Sequence, residues 1–369
     1  MPTPKLNDST LLRSVKVLEE CGWNRSAAGR RLRINGRSVQ RHAVMALERG
    51  LIQDIPPGDL GIGRRAEAKE PPTAPVALDF PQFPDEELPP DELVSLMKNQ
   101  FRREHMAHRA RKWFDVKVNI PGPIGIMWFG DPHVDSQGCN WPLLDDHAKV
   151  CRDTEGMFGA NIGDTTDNWV GRLARLYANS NQSRSRAVRL AEIFISEMGI
   201  DWLLLLRGNH DMWSQSRRDD PLTWFKRGGA PMEDWQAKFS LLFPNERRAR
   251  IWAAHDFPGH SWFNPLHGNK RASMRDHAHL YICGHKHNWS IHSEENADTN
   301  DVYWFARARG YKYIDHHGEN LGHEAQMEGA CIVSVIDPDA VSESGFVQCF
   351  SDPHAAADYL TWKRKKAAA

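Results

Sequence analysis

The sequence predicts an α/β domain preceded by a small all-α module. Three observations carry that reading. From Val116 onward, apolar runs of strand length alternate with stretches of helical spacing, the order of a layered α/β fold. One of those runs, Leu203-Leu204-Leu205-Leu206, is bounded by polar residues and reads as a strand buried on both faces. The first 50 residues show helical spacing only, with ten basic against four acidic side chains, a net +6 in a 369-residue chain whose total is −1.

Taken in order, Leu11, Leu12, Val15, Val17 and Leu18 repeat at helical spacing up to Gly22. Asn24 or Ser26 can cap a second helix through Ala27, Ala28 and Leu32, and Asn35-Gly36 breaks it. A third helix runs from Arg37 to Arg49 with Val39, Val44, Met45 and Leu47, ended by Gly50. The stretch Ala27 to His42 resembles a Fis-type helix-turn-helix. That resemblance implies that Arg37, Ser38, Gln40, Arg41 and His42 face a DNA major groove, where Arg and Gln can make bidentate contacts to base edges. Residues 1–52 are therefore expected to be a DNA-binding module. Residues 53–90 read as a flexible linker, since nine of the 22 prolines fall between Pro56 and Pro90. Residues 91–112 read as a charged helix that braces the next domain or binds a partner, and residues 113–369 as the large domain.

In the large domain, Ile124 to Phe129 is a buried strand followed by Gly130-Asp131-Pro132-His133. Helical sequence around His147 to Phe158 precedes Gly163-Asp164-Thr165-Thr166-Asp167. An amphipathic helix from Ala187 to Gly199 leads into the leucine strand and Gly208-Asn209-His210-Asp211. Strands at Arg250 to Ala254 and His279 to Cys283 follow, the second delivering Gly284-His285-Lys286-His287. Cys331 to Ile336 and Phe346 to Phe350 complete a sheet, and Pro353 to Lys366 forms a terminal helix. Four strand ends thus carry Asp-x-His, Gly-Asp-x-x-Asp, Gly-Asn-His-Asp and Gly-His-x-His. Alternate residues of an extended segment point one way, so Asp131 and His133 can share a metal. Carboxylate, imidazole and amide together suit manganese, iron, nickel or zinc rather than magnesium or calcium. A two-metal centre needs a bridging carboxylate, for which Asp164 is the candidate.

This ordered set resembles the calcineurin-like metallophosphoesterases over roughly Val116 to Gln348. The resemblance implies a four-layer αββα sandwich of two mixed sheets with two divalent metals at the strand ends, manganese first among them. Asp131, His133, Asp164 and His287 would hold one metal, and Asp164, Asn209, His285 and one further histidine the other. Eight of the 18 histidines lie between His255 and His292. His267, followed by Gly268, matches the usual His-Gly and is preferred over His260 and His255; His277 and His279 read as structural. His210 would stabilise the transition state or protonate the leaving oxygen, with Asp211 orienting its ring and Asp167 in support.

Trp169, Trp213 and Trp289 each follow one of the motifs and could stack on bases or pack the core. Serine/threonine phosphatases usually read Gly-Asp-x-x-Asp-Arg-Gly and Gly-Asn-His-Glu, whereas this chain has Asn168-Trp169 and Asp211. The expected function is therefore a nuclease of DNA repair or phage DNA metabolism. A phosphatase, a cyclic-nucleotide phosphodiesterase and a DNA-binding regulator with an inactive body are the alternatives. The scattered cysteines form no Cys-x-x-Cys pair, the first residues lack a signal-peptide core, and no stretch has the length of a membrane span. A cytoplasmic location is the expectation, with no membrane partner and the oligomeric state open.

Overall fold

Period-two alternation sorts the strand residues between separate interiors. In β2 (Ile124–Phe129), Ile124, Ile126 and Trp128 enter one core while Met127 and Phe129 enter another. β4 (Trp202–Arg207) divides Leu204 and Leu206 from Leu205, and β11 (Cys331–Ile336) divides Ile332 and Ile336 from Val333 and Val335 in the same way. With β3 (Met157–Asn161), β5 (Met232–Asp234) and β12 (Val347–Phe350), these strands form a six-stranded sheet of order β12-β11-β2-β3-β4-β5. The run β2-β3-β4-β5 is parallel; β11 pairs antiparallel with β2, and β12 antiparallel with β11.

A second six-stranded sheet has the order β1-β6-β7-β8-β10-β9. Its strands are β1 (Phe114–Lys117), β6 (Gln236–Leu242), β7 (Arg248–Ala254), β8 (Leu280–Cys283), β9 (Ser290–Asn296) and β10 (Asp301–Arg307). Phe239, Leu241, Ile251, Leu280 and Ile282 meet Ile126, Trp128, Leu204 and Leu206 of the first sheet in a shared core. On the outer face of the first sheet lie the helices Trp141–Asp153, Arg184–Glu192 and Pro353–Ala368. The helix His267–Ser273 covers the outer face of the second, through Leu266 and Ala272 against Trp252, Tyr281 and Phe305. The result is the expected αββα sandwich, with β2, β3, β4, β7 and β8 presenting their carboxyl ends to one region.

The computed structural model describes residues 6–55, 88–170, 183–213, 220–259, 261, 263–296, 300–313 and 329–368. It divides into two compact units, Met1–Leu88 and Pro89–Ala369. Most of the expected linker, as well as His260, lies outside the described residues. In the first unit, α1 (Asp8–Glu20), α2 (Arg25–Leu32) and α3 (Gly36–Glu48) are each capped by an asparagine side chain, Asn7, Asn24 and Asn35. Leu11, Val15, Leu18, Ala28, Val39, Ala43 and Ala46 fill its core. Gly29 is the close-approach point: a Cβ there would come within 2.8 Å of the Ile34 carbonyl and 2.9 Å of the Gly36 nitrogen. The second unit opens with α4 (Pro90–Arg111).

Several elements differ from the sequence expectation. Met157 and Phe158 belong to β3 rather than to the preceding helix, because Gly156 turns the chain at φ 79°. The helix Arg184–Glu192 loosens into a π turn over Ile193–Glu197. No strand is read from the sequence at β1, β5, β6, β9 or β10, which are short or carry polar and charged residues among their apolar ones. The six cysteines are free. Among the described residues no helix is long and apolar enough to cross a membrane.

Candidate metal centre

The strand ends bring the motif residues together by an unusual backbone. Asp131, His133, Asp164, His285 and His287 all have positive φ, at 26°, 42°, 51°, 70° and 50°. Side chains other than glycine rarely adopt that region, and strain of this kind concentrates at functional sites. The extended-segment argument for Asp131 and His133 therefore does not hold. Their convergence comes from left-handed turns that fold each side chain inward.

Asp164 lies at the centre. Its Oδ2 is 3.2 Å from His255 Nε2, and 3.9 Å from both His133 Nε2 and His210 Nε2. Its Oδ1 accepts the His210 backbone N–H at 2.9 Å. His255 Nε2 is also 3.0 Å from Asn209 Oδ1, and its Nδ1 is 3.0 Å from the Ile162 carbonyl oxygen. The rings of His255 and His285 are 4.8 Å apart. On the other side, Asp131 Oδ2 is 3.7 Å from His287 Nε2, and the rings of His133 and His287 are 5.3 Å apart. Gly208 permits this density: a Cβ there would fall 2.2 Å from Asp164 Oδ1 and 2.6 Å from His255 Cε1.

Two groups of donors meet within metal-binding reach here, Asp164 with His255 and His285, and His133 with Asp167 and His210. Both oxygens of Asp131 are fully buried without a hydrogen-bond partner. Burial pushes the Asp131 carboxyl up to about 7, against the pull of His255. Asp164 is as deeply buried, but the charge and hydrogen bond of His255 hold its carboxyl below the usual range. The same pairing overcomes burial to raise His255 to about 9. Burial and the neighbouring His255 push His285 down to about 4. A dry carboxylate with no donor, beside histidines of mixed charge, is a donor set that fits a divalent cation.

The surrounding groups fix the rings. Asp167 Oδ1 lies 2.8 Å from His133 Nδ1, which leaves Nε2 facing Asp164. Lys312 Nζ reaches the same Asp167 oxygen at 3.1 Å. His210 Nδ1 is 2.6 Å from the Asp167 carbonyl oxygen, and burial together with His133 pushes this ring down to about 4. The Trp213 ring packs 4.2 Å and the Trp169 ring 5.0 Å from that of His210, centroid to centroid.

Two sequence expectations change. Asp211 does not reach the His210 ring; its carboxylate accepts the backbone N–H groups of Thr165 and Gly208 at 3.1 and 2.9 Å, fastening two ligand-bearing turns together. His267 begins a helix, where its N–H donates to the Asn264 carbonyl, and it joins neither donor group. His255, at the end of β7, is the histidine that joins Asp164 and His285, because β7 runs parallel to β8 and delivers its end beside His285. His277, His279 and Asp301 form a third group at the amino end of β8, where His279 Nδ1 accepts the Arg250 N–H and the ring serves the sheet. Sequence reasoning also passed over Lys312 and Arg307. Arg307, buried at the end of β10, donates to the Gly284 and Pro265 carbonyls and to Asp256, bracing the turn of His285. Neither residue sits in a motif.

On the module, Arg37 and Arg41 are exposed on α3 and Ser38 is half-buried. Gln40 Oε1 accepts from Arg25 Nη1 at 2.6 Å. His42 departs from the expectation of a DNA-facing side chain. It is buried with Val39, Ala43 and Ala46, with Nδ1 2.8 Å from Ser14 Oγ. Position 42 lies three and four residues from Val39 and Ala46, and so on the core face.

No family model matches the chain, and no curated protein matches it. Among solved structures, the chain is similar to an uncharacterized predicted phosphoesterase of Streptococcus pneumoniae at 12% identity, over 63% of this chain and 100% of that one, with a TM-score of 0.28. Vacuolar Protein Sorting 29 of Cryptosporidium parvum matches at 12% identity over 63% and 100%, with a TM-score of 0.34. The NAD nucleotidase of Haemophilus influenzae matches at 7% identity over 62% and 49%, with a TM-score of 0.33. Likenesses this distant leave the chemistry to this chain's own residues.

Proposed function

We propose that the second unit is a metal-dependent phosphoester hydrolase acting on nucleic-acid phosphodiesters, and that residues 1–52 hold the DNA. The observation that carries the hydrolase reading is Asp131, buried with both oxygens lacking hydrogen bonds on strained backbone inside a ring of histidines. Asp131, His133, Asp164 and His287 would hold one divalent ion. Asp164, Asn209, His285 and His255 (in place of His267) would hold a second. Such ions, manganese foremost, supply positive charge to the phosphoryl oxygens and lower the pKa of bound water.

The chain's own groups account for the rest. Asp167 Oδ1, beside His133 Nδ1, holds the ring proton on that nitrogen and so keeps Nε2 available toward Asp164. The Asp167 carbonyl does the same for His210, whose lowered pKa leaves Nε2 unprotonated at neutral pH. His210 Nε2 therefore accepts a proton before it can return one to the leaving oxygen. Asp211 serves this chemistry by holding the Thr165 and Gly208 turns in place. Trp169 and Trp213, half-buried against His210, offer faces on which a base can stack.

DNA as the substrate is supported by the net +6 of the first 50 residues and by the exposed Arg37 and Arg41 on α3. The test is a manganese-supplemented panel of single- and double-stranded DNA, RNA, cyclic nucleotides and p-nitrophenyl phosphate, with Asp164→Asn as control. DNA should be the best substrate, and the control inactive. Turnover of monoesters alone would overturn the nucleic-acid substrate. No turnover with manganese, iron, nickel or zinc would overturn the hydrolase.

A further inference from the structure

Arg307 ends β10, opposite Cys283 at the end of β8 in the parallel register of the two strands. Its guanidinium is withdrawn from water, which is costly for a charge unless its donors are satisfied. The three nitrogens go to three separate segments. Nη2 donates to Asp256 Oδ1 at 3.0 Å, Nε to the Pro265 carbonyl at 2.9 Å, and Nη1 to the Gly284 carbonyl. Asp256 follows His255, and Gly284 precedes His285. The two turns are also joined directly, the Gly284 N–H donating to the His255 carbonyl at 3.0 Å. The second turn has no slack. A Cβ on Gly284 would fall 2.8 Å from Asp131 Oδ1, and His285 is held at a φ of 70°. Backbone in that region persists only where its surroundings over-determine it.

We propose that Arg307 is a positioning residue for the second ion, setting the spacing of His255 and His285 through the planar fork of its guanidinium. The assignment rests on the two-ion reading given above. Each of the two ligands has a chain neighbour bonded to the fork, so a shift of the fork moves both imidazoles. The Pro265 carbonyl anchors the fork from a third side, at the approach to the helix His267–Ser273. Asp256 balances the charge of Arg307, so what the site draws from this side chain is geometry. A lysine carries the same charge but presents a single point of donation, which does not reproduce a planar group spanning three acceptors. The first ion depends on the fork less. Asp131 and His133 lie on the turn after β2, and Asp167 holds the His133 ring. Of that ion's proposed ligands, His287 alone shares the Gly284 turn, three residues further on.

Manganese binding to the full chain, followed by titration calorimetry and electron paramagnetic resonance, tests this. Wild type should take up two ions and give the spectrum of an exchange-coupled pair. Arg307→Lys should weaken the second ion about ten- to a hundredfold and leave the first within about threefold, so that the spectrum becomes that of an isolated ion. Asp256→Ala cuts the tie beside His255 and should weaken the second ion about tenfold. Asp256→Asn, whose amide oxygen still accepts from Nη2, should recover most of that loss. Arg307→Lys combined with Asp256→Ala should cost less than the two single losses together, because both act through one contact. If Arg307→Lys fails to fold, the comparison of Asp256→Ala with Asp256→Asn decides by the same measure. Variants that bind both ions as wild type does, or that weaken both ions equally, would overturn the positioning role. So would an Asp256→Asn as poor as Asp256→Ala, since charge rather than spacing would then be at work. Wild type that binds fewer than two ions would overturn the two-ion reading itself, and this assignment with it.

Discussion

The strand-end cluster and the outer face of α3 are both dense in charge, yet they are built in opposite ways. At the strand ends, Asp131, His133, Asp164 and His255 are withdrawn from water, and backbone strain holds three of them in place. On α3, Arg37 and Arg41 stand in solvent on an ordinary helix whose glycine and asparagine start is unstrained. Charge that is costly to bury needs a ligand to be worth keeping, whereas exposed charge is common on surfaces. The first arrangement points to chemistry by its cost alone. The second gains meaning only from a partner.

The largest expected effect lies at the centre of the cluster. Asp164→Asn removes the carboxylate that the two proposed ions would share. It should lower phosphodiester turnover by about three orders of magnitude or more and strip metal measured by plasma emission. Undiminished metal content would break the contrast between the two surfaces, because the buried charge would then have no cation to answer to.

Next comes the choice between two histidines. His255→Ala should cost about a hundredfold in turnover and most of one metal equivalent, while His267→Ala should stay within about threefold of wild type. The opposite ranking would move the second ion toward the helix His267–Ser273 and away from β7.

These two residues also mark where the sequence could be read. The four motifs fixed Asp131, His133, Asp164, Asn209, His285 and His287 at strand ends, because each follows a run of apolar residues of strand length. His255 lies beyond a strand as well, Arg248–Ala254, but its neighbours Asp256 and Phe257 give no motif. What places it is the pairing of β7 with β8, a long-range fact that no local spacing encodes. His42 fails for the reverse reason. The motif reading assigned it to a DNA face, but the core periodicity of Val39, Ala43 and Ala46 already claimed it. Lys312 and Arg307 reach the site from segments remote in sequence, so only the fold reveals them.

Acid provides a third probe, since both units bury a histidine whose charge is disfavoured. Burial pushes His147 and His279 of the second unit down to about 4, and it lowers His42 of the module as well. The unfolded chain titrates its histidines near 6.5, so on acidification it takes up protons before the folded state does. The stability contributed by His147 and His279 is complete above pH 6.5 and is lost as pH falls toward 4, by roughly 3 kcal/mol apiece at the limit. Chemical denaturation between pH 7 and 4.5 should show the second unit weakening, and His279→Asn, whose amide oxygen can accept the Arg250 N–H, should flatten that slope. A slope unchanged in this variant would mean that His279 is not neutral in the folded chain.

The smallest effect belongs to the exposed arginines, and it asks whether α3 has a partner at all. Arg37→Ala with Arg41→Ala removes two cations that neutralise at most two phosphates. Each phosphate contact releases about 0.9 of a counterion from duplex DNA, so the slope of log affinity against log salt should fall by nearly two. Affinity for duplex DNA at moderate salt should drop about tenfold, uniformly across sequences if both side chains contact phosphate and unevenly if either reads a base edge. Turnover of p-nitrophenyl phosphate or another small ester should stay within about twofold, because neither arginine belongs to the unit that carries the strand-end cluster. Fluorescence anisotropy across a salt series measures the slope, and a parallel assay measures the turnover. An unchanged slope would leave α3 as an ordinary solvated face, and the buried cluster would then be the chain's one charged surface with an assigned task.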